Sequence, residues 1–550
     1  MSEFDPIMRE LLENPKNTVK YLSPTIQNEL ITTLSNSLER QLILEIKSAP
    51  FYSVIIDTTQ DMAKVDQLSL TIRYAKLIHD ESGRPKEVQI KETFLGFYEC
   101  RSQTAANMSE QILQLLRDKQ LSLDRCRGQG YDGASTMSGV YGGVQKRLLD
   151  QQPLAIYVHC ATHNLNLVLN DAVSAVREVE ACFTTMQELY VFFGHSIRRW
   201  DLLASITGES SVTLKRLNPT RWAGRLTSLI GIKHRYSDVV KALTRIILEH
   251  TSRAEREEAV RLKAVIQRFE FVLLIVVLGK VMSAINVAST YLQSRDADLF
   301  QARKHLKTAY DDLSAYRNDF ANVVSEARRL CSVWGAETEF ANKRTGKTKR
   351  HFDDLCEDSR LSNPEDRFRV SVYYRLIDTV TSQLSRRFTA MNEVIDSFSI
   401  LFPANLVAAD EDAIRTAAED LQKRYSCDLT EGFPIQLLTF VASLKSEIVK
   451  LSTVQQLARL LTVEYAAMST AFPDVVTALK LFLTLPVTVA SAERSFSKLR
   501  LIKSYLRSTM NQDRLRSLAL LSIEAQSAES LETDQIIDDF ANAKARRKPF

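Results

Sequence analysis

Strand-like hydrophobic patterns occur only in the N-terminal third of this chain, and helical patterns follow for most of the rest. The run Val54–Ile56 is wholly apolar, and residues 68–74 alternate between apolar and polar side chains. These patterns predict a buried strand and then a half-buried strand. Further strands are predicted at 88–98, 125–131 and 154–159, with amphipathic helices between the later ones. Three hairpin-joined strands followed by βαβ crossovers predict a mixed sheet with helices on its faces.

A large helical block is predicted after about residue 165, where strand patterns almost vanish for about three hundred residues. The chain of 550 residues has only 16 glycines and 13 prolines, about half their usual share. Because these residues interrupt regular structure, their scarcity indicates a helix-rich protein. The last strongly patterned part is 475–524, and a charged segment follows it. We therefore predict an α/β fold in which a mixed sheet is followed by a large helical region.

Composition excludes several classes of protein. The formal net charge of +4 is too small to indicate nucleic-acid binding by itself. The seven cysteines form no CxxC pair, which excludes a disulfide framework or a zinc finger and fits a reducing compartment. The N-terminus lacks the apolar core of a signal peptide, and the most apolar run, Phe271–Gly279, is too short to span a bilayer. We therefore expect a soluble intracellular protein with no membrane partner.

Three acids stand where a rigid scaffold could position them for chemistry. Asp57 is predicted to end an apolar strand where the chain turns, and Asp132 lies where a short strand meets a loop. Glu493 precedes Phe496 by three residues, so helical spacing places it beside a buried helix face. Each acid has a structural alternative: a turn or helix cap for Asp57, an Asx turn for Asp132, and an ion pair with a nearby arginine for Glu493.

A glycine string around Asp132 matches the dinucleotide-binding fingerprint literally. It reads Gly128-x-Gly130-x-x-Gly133. That fingerprint cradles a pyrophosphate with backbone amides, whereas Asp132 would bring a negative charge to the phosphates. The hairpin-type strands upstream also differ from the first unit of a dinucleotide-binding fold. We therefore exclude a dehydrogenase.

Two basic sites are candidates for nucleic-acid contacts. The helix predicted after Glu493 carries five cations without an intervening acid: Arg494, Lys498, Arg500, Lys503 and Arg507. Such a face suits phosphates, although a solvated surface is the commoner explanation. Trp222 follows Arg221 and could stack on a base beside cations, or it could be a core residue. Cys160 and His163 form half of a zinc site, so core packing or an indirect role near a site is the better interpretation.

Six strings together resemble the hAT superfamily of DNA transposases, in particular zinc-finger MYM-type-like proteins and their domesticated relatives. The strings are Ser53–Asp61, Gln67–Tyr74, Gly128–Gly139, His159–Leu167, Asn218–Trp222 and Leu485–Arg500. Their order and spacing cover nearly the whole chain. The resemblance implies an RNase H-like domain, with helices on both faces of its sheet, that is interrupted by a large all-α insertion.

The resemblance also implies a division of the chain. The expected parts are an N-terminal helical segment at 1–50, the first part of the RNase H-like domain at 51–175, the insertion at 176–480, the last part of the domain with a dimerisation region at 481–525, and a charged tail at 526–550. Members of the family usually begin with a zinc-binding DNA-recognition module. This sequence has no Cys/His cluster before residue 50, so recognition of specific DNA ends is not expected from that part.

For function, the resemblance implies that Asp57, Asp132 and Glu493 form a DDE triad that holds two Mg²⁺ or Mn²⁺ ions. The triad would cleave DNA strands and join them to a target. Trp222 matches a family position that holds a flipped base. The DNA contacts are then expected at Trp222, Arg221, Arg494, Lys498 and Arg500, with Cys160 and His163 near the active site.

The expected partners are DNA and a second copy of the chain, bound through 490–525, where Leu515, Leu518 and Ile523 offer apolar side chains. Basic stretches at 343–350 and 544–548 predict a nuclear location. Two other functions stay open. A domesticated relative without catalytic activity could regulate transcription through dimerisation and protein or DNA binding. A generic nuclease of the same fold would explain the acids but not the strings at 218–222 and 485–500.

Overall fold

The computed structural model of the chain describes most residues between 23 and 543. The described residues are Arg9, 23–208, 214–217, 222–249, 252–294, 297–341 and 363–543, with only the backbone described at Trp222 and Ala223. The chain forms two compact units. The first unit is Met1–Ala161, Leu292–Gln301 and Met391–Phe550, and the second is Thr162–Tyr291 and Ala302–Ala390.

The first unit contains a five-stranded mixed sheet. Its strands are β1 (Tyr52–Gln60), β2 (Asp66–His79), β3 (Pro85–Glu99), β4 (Cys126–Tyr131) and β5 (Ile156–His159). Their order across the sheet is β3-β2-β1-β4-β5. The first three strands are antiparallel neighbours, while β4 is parallel to β1 and β5 is parallel to β4. The predicted mixed sheet, built from hairpins and then crossovers, is confirmed.

β2 is buried along both of its faces, so the prediction of a half-buried strand is wrong there. Leu68, Leu70 and Ile72 belong to the large core on one face. Ser69 and Arg73 alternate with them and are buried on the other face, where they bond to side chains of their own unit. The polar residues of β2 therefore face a covering helix to which they can hydrogen-bond, and they do not face water.

Between residues 23 and 160, all of which the structure describes, four α-helices accompany the strands. They are α1 (Pro24–Ser48), α2 (Ala105–Asp118), α3 (Ser135–Ser138) and α4 (Val144–Gln151). α1 begins at Ser23, whose side chain accepts a hydrogen bond from the Ile26 amide, with proline at the first helical position. Its apolar residues Leu38, Leu42 and Ile46 pack in the same core as the sheet. The segment predicted as a separate N-terminal part is therefore continuous with the core of the domain.

The second unit consists of helices and their connections, with no strand among its described residues. Its helices, some of which extend past its limits, are α5 (Ala161–Ala175), α6 (Arg177–Gly194), α7 (Ile197–Thr207), α8 (Trp222–Glu249), α9 (Arg253–Ile266), α10 (Phe269–Leu292), α11 (Leu299–Tyr316), α12 (Phe320–Trp334), α13 (Pro364–Phe368) and α14 (Arg375–Arg387). A turn of π-helix, Arg369–Tyr374, joins the last two. This unit confirms the predicted all-α region.

α10 contains the most apolar run of the chain and is longer than the sequence suggested. With 24 residues and a mean hydropathy of 2.3 over its most apolar window, it is long and apolar enough to cross a membrane by length and composition. The run Phe271–Gly279 is by itself too short to span a bilayer, but the helix that contains it is not. However, 67% of that window is buried, and every residue from Phe271 to Leu278 is buried. Such burial is typical of the core helix of a globular unit.

The chain returns to the first unit at Met391, well before the predicted end of the insertion at 480. The helices from there onward are α15 (Thr389–Ser397), α16 (Pro403–Ala408), α17 (Glu411–Arg424), α18 (Phe433–Ile448), α19 (Val454–Arg459), α20 (Pro473–Thr484), α21 (Ala490–Ile502), α22 (Gln512–Ile523), α23 (Ala525–Glu529) and α24 (Thr533–Asn542). Helical periodicity continues unchanged through residue 391, so the sequence carries no sign of the return. α24 lies within the predicted charged tail, yet Ile536 and Phe540 are buried.

Candidate active site

Asp57 and Asp132 lie at the same level of two neighbouring parallel strands. β1 and β4 pair through Ile55 opposite Gly130, and each aspartate follows two residues later. Side chains two residues apart in a strand project from the same face, so continuing this register places both carboxylates on the face of Ile55. Both aspartates are half-buried. The structure therefore places two of the three predicted acids on one face, at the same end of the sheet.

The setting of Asp57 differs from the predicted one, because β1 does not end there. β1 loses its pairing with β4 after Ile55 but stays paired with β2 as far as Gln60. The turn predicted directly after Asp57 is therefore wrong, and the carboxylate lies where the two parallel strands separate. Its Oδ1 accepts a hydrogen bond from the Thr58 amide at 2.8 Å.

Asp132 follows directly on β4 and forms the Asx turn that was its structural alternative. Its Oδ1 accepts a hydrogen bond from the Ala134 amide at 3.3 Å. Its carbonyl oxygen accepts a hydrogen bond from the hydroxyl of Tyr157 on β5 at 3.4 Å. The turn uses one of the two carboxylate oxygens and holds the side chain in place, so a structural role and a chemical role are compatible here.

α21 runs parallel to β1 across the face that carries the aspartates. Three associations follow in the same order along the helix and the strand. Ala492 shares a buried cluster with Ile55, Ser495 bonds to Ser69 (the neighbour of Asp57 on β2), and Lys503 pairs with Asp61. The helical run between the first and last association rises about 16 Å and the strand run about 20 Å, so the two are comparable in length. The helix therefore covers β1 from just before Asp57 to the end of the strand.

Glu493 lies in the first turn of α21, directly after Ala492 and so close to the level of Asp57. Helical residues advance by about 100°, so Glu493 lies on the opposite flank from Ser491. The Ser491 hydroxyl donates to Glu92 on β3, which places Glu493 on the flank nearer to β4. It is half-buried.

These acids have donor atoms that suit a metal ion, but their side chains do not surround a common point. Carboxylate oxygens are the donors that Mg²⁺ and Mn²⁺ prefer, and the three acids belong to one end of one sheet face. Within the described ranges, however, no group of three or more His, Cys, Asp or Glu side chains is arranged to hold a metal ion. The three acids come from neighbouring elements, but their side chains are not gathered around a common point. The triad and its two ions stay predictions.

Cys160 fixes the loop that leads into α21. It is buried in one cluster with Ile55, Val489 and Ala492, and its Sγ accepts a hydrogen bond from the Val489 amide at 3.3 Å. Its own amide donates to the Tyr131 carbonyl at 3.0 Å, at the end of β4. The thiol therefore links the ends of the strands to the helix that carries the third acid, which is a core-packing role.

The glycine string of β4 lets the same loop lie against the strand. A Cβ atom at Gly128 would lie 2.6 Å from Pro486 Cδ, and one at Gly130 would lie 3.1 Å from Pro486 Cβ. Side chains at either position would push the loop away from the sheet and displace α21. The glycines are thus explained by close packing, in agreement with the exclusion of a dinucleotide site.

Lys503, predicted as part of a basic helix face, is instead buried in an ion pair with Asp61. Its Nζ lies 2.6 Å from Asp61 Oδ2, and the two side chains are 6% and 0% exposed. Asp61 also accepts hydrogen bonds from the amides of Ala63 and Val65 and from the Gln67 side chain. Burial opposes the ionisation of Asp61, but the bonds from Lys503 and the two amides outweigh it, so the pKa of Asp61 lies below its ordinary value. No sequence pattern indicated this pair, which fastens the end of α21 to the turn between β1 and β2.

The other predicted DNA contacts on α21 divide into two kinds. Lys498 and Arg500 are exposed and make no ion pair with the described residues. Arg494 is exposed as well, but its guanidinium donates to the Gln293 carbonyl and the Ser491 hydroxyl, each at 2.7 Å. Arg494 therefore ties the segment Leu292–Gln301 to the start of α21, whatever else it contacts.

Several predicted site residues cannot be placed relative to these acids. Trp222 begins α8, but its side chain and all of Arg221 lie outside the described residues. His163 is half-buried in α5 and belongs to the second unit. The basic stretches 343–350 and 544–548, on which a nuclear location was predicted, also lie outside the described residues.

The predicted dimerisation surface is wrong in part. Leu515 is fully buried in the core that α22 shares with the sheet, so it is not accessible to a partner. Leu518 and Ile523 are half-buried. The strongly exposed apolar side chains of this region lie in and just after the last turn of α21: Leu501 at 72%, Tyr505 at 81% and Leu506 at 91% exposure.

Two regions of the chain match known protein families. Residues 2–143, which include β1 to β4, match a family described as the ZMYM1/FAM200 RNase-like domain. Residues 460–527, which include α21 and α22, match the hAT family C-terminal dimerisation region. The two matches contain all three predicted acids, and the resemblance drawn from the six sequence strings is confirmed.

Two relatives match this chain along nearly all of its length. The chain is 23% identical over 98% of its length to the human protein named 52 kDa repressor of the inhibitor of the protein kinase, of which it covers 69%. It is also 23% identical over 98% of its length to the mouse protein of the same name, of which it covers 70%. The similarity therefore extends across both compact units.

Proposed function

We propose that this chain, which carries the RNase-like domain and the C-terminal dimerisation region of hAT-type proteins, is a transposase core that cleaves and joins DNA strands. The observation that carries this proposal is the shared level of Asp57 and Asp132 on neighbouring parallel strands, with α21 bringing Glu493 over the same face. Acids at one end of a rigid sheet, partly open to solvent, suit phosphodiester chemistry.

The residues of the chain have distinct tasks in this proposal. Asp57, Asp132 and Glu493 would hold Mg²⁺ or Mn²⁺, which supply activation of water or of a DNA 3′-hydroxyl and stabilise the leaving oxygen. Cys160 and the ion pair of Lys503 with Asp61 keep α21 aligned with β1, and so keep Glu493 beside the aspartates. Lys498 and Arg500 offer exposed cations to the DNA backbone along the same helix.

A second candidate function is a transposase-derived regulator that dimerises and binds its partners without cutting DNA. The carboxylates are not gathered into a metal-binding group within the described residues, and this favours the second candidate. The name of the human and mouse relatives, a repressor, also favours it. In this case the basic and apolar surfaces of the C-terminal region would be the functional ones.

A cleavage assay separates the two candidates. The full chain is incubated with Mn²⁺ and DNA that carries candidate terminal inverted repeats from its flanking genome, and nicked and joined strands are resolved by size. A parallel reaction with EDTA removes the divalent ion. Products that depend on Mn²⁺ support the transposase core, whereas DNA binding without products supports the regulator.

Dimerisation gives a prediction that holds for both candidates. We propose that Leu501, Tyr505 and Leu506 lie in the interface between two copies, because they are exposed within the dimerisation region. Replacing Leu501 and Leu506 together by aspartate should raise the dimer dissociation constant by on the order of 10²- to 10⁴-fold, since two buried leucines together contribute about 3–6 kcal/mol. Sedimentation velocity across a concentration series measures the change.

The matched control is Ile435→Asp, which alters an exposed apolar side chain on α18 of the same unit, outside the dimerisation region. It should leave the dissociation constant unchanged. A double variant that still sediments as the wild type does would show that the interface lies elsewhere.

A further inference from the structure

A small basic pocket lies beyond Asp57, between the end of β1 and the end of α21. Its volume is about 260 Å³, and its lining includes Thr59, Asp61 and Lys64 from the strand side and Phe496, Arg500 and Lys503 from the helix. Pockets for drug-sized ligands are usually about 300–1,000 Å³. This pocket is large enough only for a small ligand, and its cations favour an anionic ligand.

Lys64 occupies an unusual backbone position in the turn that forms one wall of the pocket. Its φ is +63°, in the left-handed region that favours glycine or asparagine. The turn is fixed by its neighbours: the Lys64 amide donates to the Asp61 carbonyl at 3.0 Å, and the Asp61 carboxylate accepts from the Ala63 and Val65 amides. A lysine costs stability at a position where glycine would be unstrained. Strain of this kind indicates that the side chain itself is used.

Charge in the pocket is not balanced by the protein. Lys503 is paired with Asp61, and both are buried. Lys64 and Arg500 are exposed and have no ion-pair partner among the described residues. Two cations therefore remain to face a ligand across a pocket whose walls are held rigidly by the buried pair.

The pocket lies in line with the acids. Arg500 follows Glu493 by seven residues, so both project from the same flank of α21, about 10 Å apart along the helix axis. Thr59, in the pocket, follows Asp57 by two residues on the same face of β1. One strand of DNA advances about 3.4 Å per nucleotide along its axis, so the separation corresponds to about three nucleotides.

We propose that this pocket binds a backbone phosphate of the DNA strand whose cleavage site lies at the acids, with Lys64 and Arg500 as its ligands. The proposal rests on the proposed function for the identity of the ligand. The pocket would fix the distance along the strand between a held phosphate and the reacting one. Lys64 is thus a positioning residue that the sequence strings did not single out.

Because Lys64 is strained, the Lys64→Gly variant can show a loss of phosphate binding that is not caused by a loss of stability. Glycine relieves the strain, so the protein should be at least as stable as the wild type while it loses the cation. The matched control is Gln120→Gly, because Gln120 is the other described non-glycine residue with positive φ, at +52°, and lies outside the pocket. Arg500→Gln tests the second cation, and Arg415→Gln on α17 removes an exposed arginine elsewhere in the same unit.

The measurement is the salt dependence of binding to oligonucleotides of mixed sequence, in EDTA so that divalent ions play no part. The slope of log affinity against log salt should fall in magnitude by about 0.9 on duplex DNA, or about 0.7 on a single strand, for each variant that loses a phosphate contact. We expect this loss for Lys64→Gly and Arg500→Gln, and wild-type slopes for both controls. Melting temperatures of Lys64→Gly and Gln120→Gly should equal or exceed that of the wild type.

Two results would overturn the inference in distinguishable ways. If the wild type binds DNA and Lys64→Gly and Arg500→Gln keep its slope, the pocket is not a phosphate site, and the proposed function is unaffected. If the wild type does not bind DNA at any salt concentration, the pocket and the proposed function fail together.

Discussion

DNA cleavage by this chain should fall by on the order of 10³-fold when Glu493 is replaced by glutamine. Glutamine keeps the length of the side chain and its helical position but removes the charge that a divalent ion requires. Asp57→Asn and Asp132→Asn should act as strongly, because the two aspartates share the level of one sheet end. Single-turnover cleavage with Mn²⁺ measures the rate for each variant.

Glu110→Gln on α2 is the matched control for these variants. Glu110 is exposed, so the same chemical change there should leave both cleavage and folding unaltered. Thermal unfolding of each acid variant shows whether the fold is retained. Cleavage by Glu493→Gln at the wild-type rate would remove this residue from the catalytic group, and unchanged rates in all three acid variants would exclude the triad.

Replacing Lys503 by methionine should destabilise the first unit by about 3–5 kcal/mol, because it leaves Asp61 ionised and buried without its partner. Urea unfolding followed by far-ultraviolet circular dichroism measures the loss. The double variant Lys503→Met with Asp61→Asn removes both charges and should recover part of it. Lys450→Met breaks an exposed ion pair with Glu447 and should change stability little.

The ion pair of Lys503 with Asp61 should also affect how the stability of the first unit depends on acid pH. The pKa of Asp61 is lower in the folded chain than in the unfolded chain, so its ionisation stabilises the fold above the unfolded pKa, near pH 4. That contribution is lost as the pH falls below about 4 towards the folded pKa. The Lys503→Met variant should therefore lose less stability over this acid range than the wild type does. An equal loss in both proteins would show that other groups dominate the acid transition.

The sequence predicted the strands well because their patterns are local. The apolar run at Val54–Ile56, the alternation at 68–74 and the turn signals after them are each contained in a few residues. The burial of β2 on both faces was not predictable in the same way. It depends on α21, which lies more than four hundred residues later in the chain and offers Ser495 to Ser69.

The same limit applies to the candidate site. Asp57 follows the apolar run of β1 and Asp132 follows directly on β4, and these local signals identified them. The partner of Asp61 is separated from it by 442 positions, so no local pattern could distinguish Lys503 from its exposed neighbours on the basic face. Leu515 likewise reads as an apolar residue on an amphipathic helix, and only the packing of α22 against the sheet shows that this surface is already covered.

The domain division shows where sequence patterns carry no information. A helix, α15, continues through Met391, although the residues before and after this point belong to different compact units. Periodicity reports that a helix has a buried face, but the identity of the element that covers this face is a property of the folded chain.

Asp57, Asp132 and Glu493 should together hold divalent ions. The most direct test is Mn²⁺ binding to the full chain, detected as the loss of the free-ion electron paramagnetic resonance signal. We predict that the wild type and Glu110→Gln bind Mn²⁺, and that Asp57→Asn and Glu493→Gln each weaken the binding by at least about tenfold. Binding that is equally tight in all four proteins, or that is undetectable in the wild type at millimolar Mn²⁺ with DNA present, would contradict this assignment.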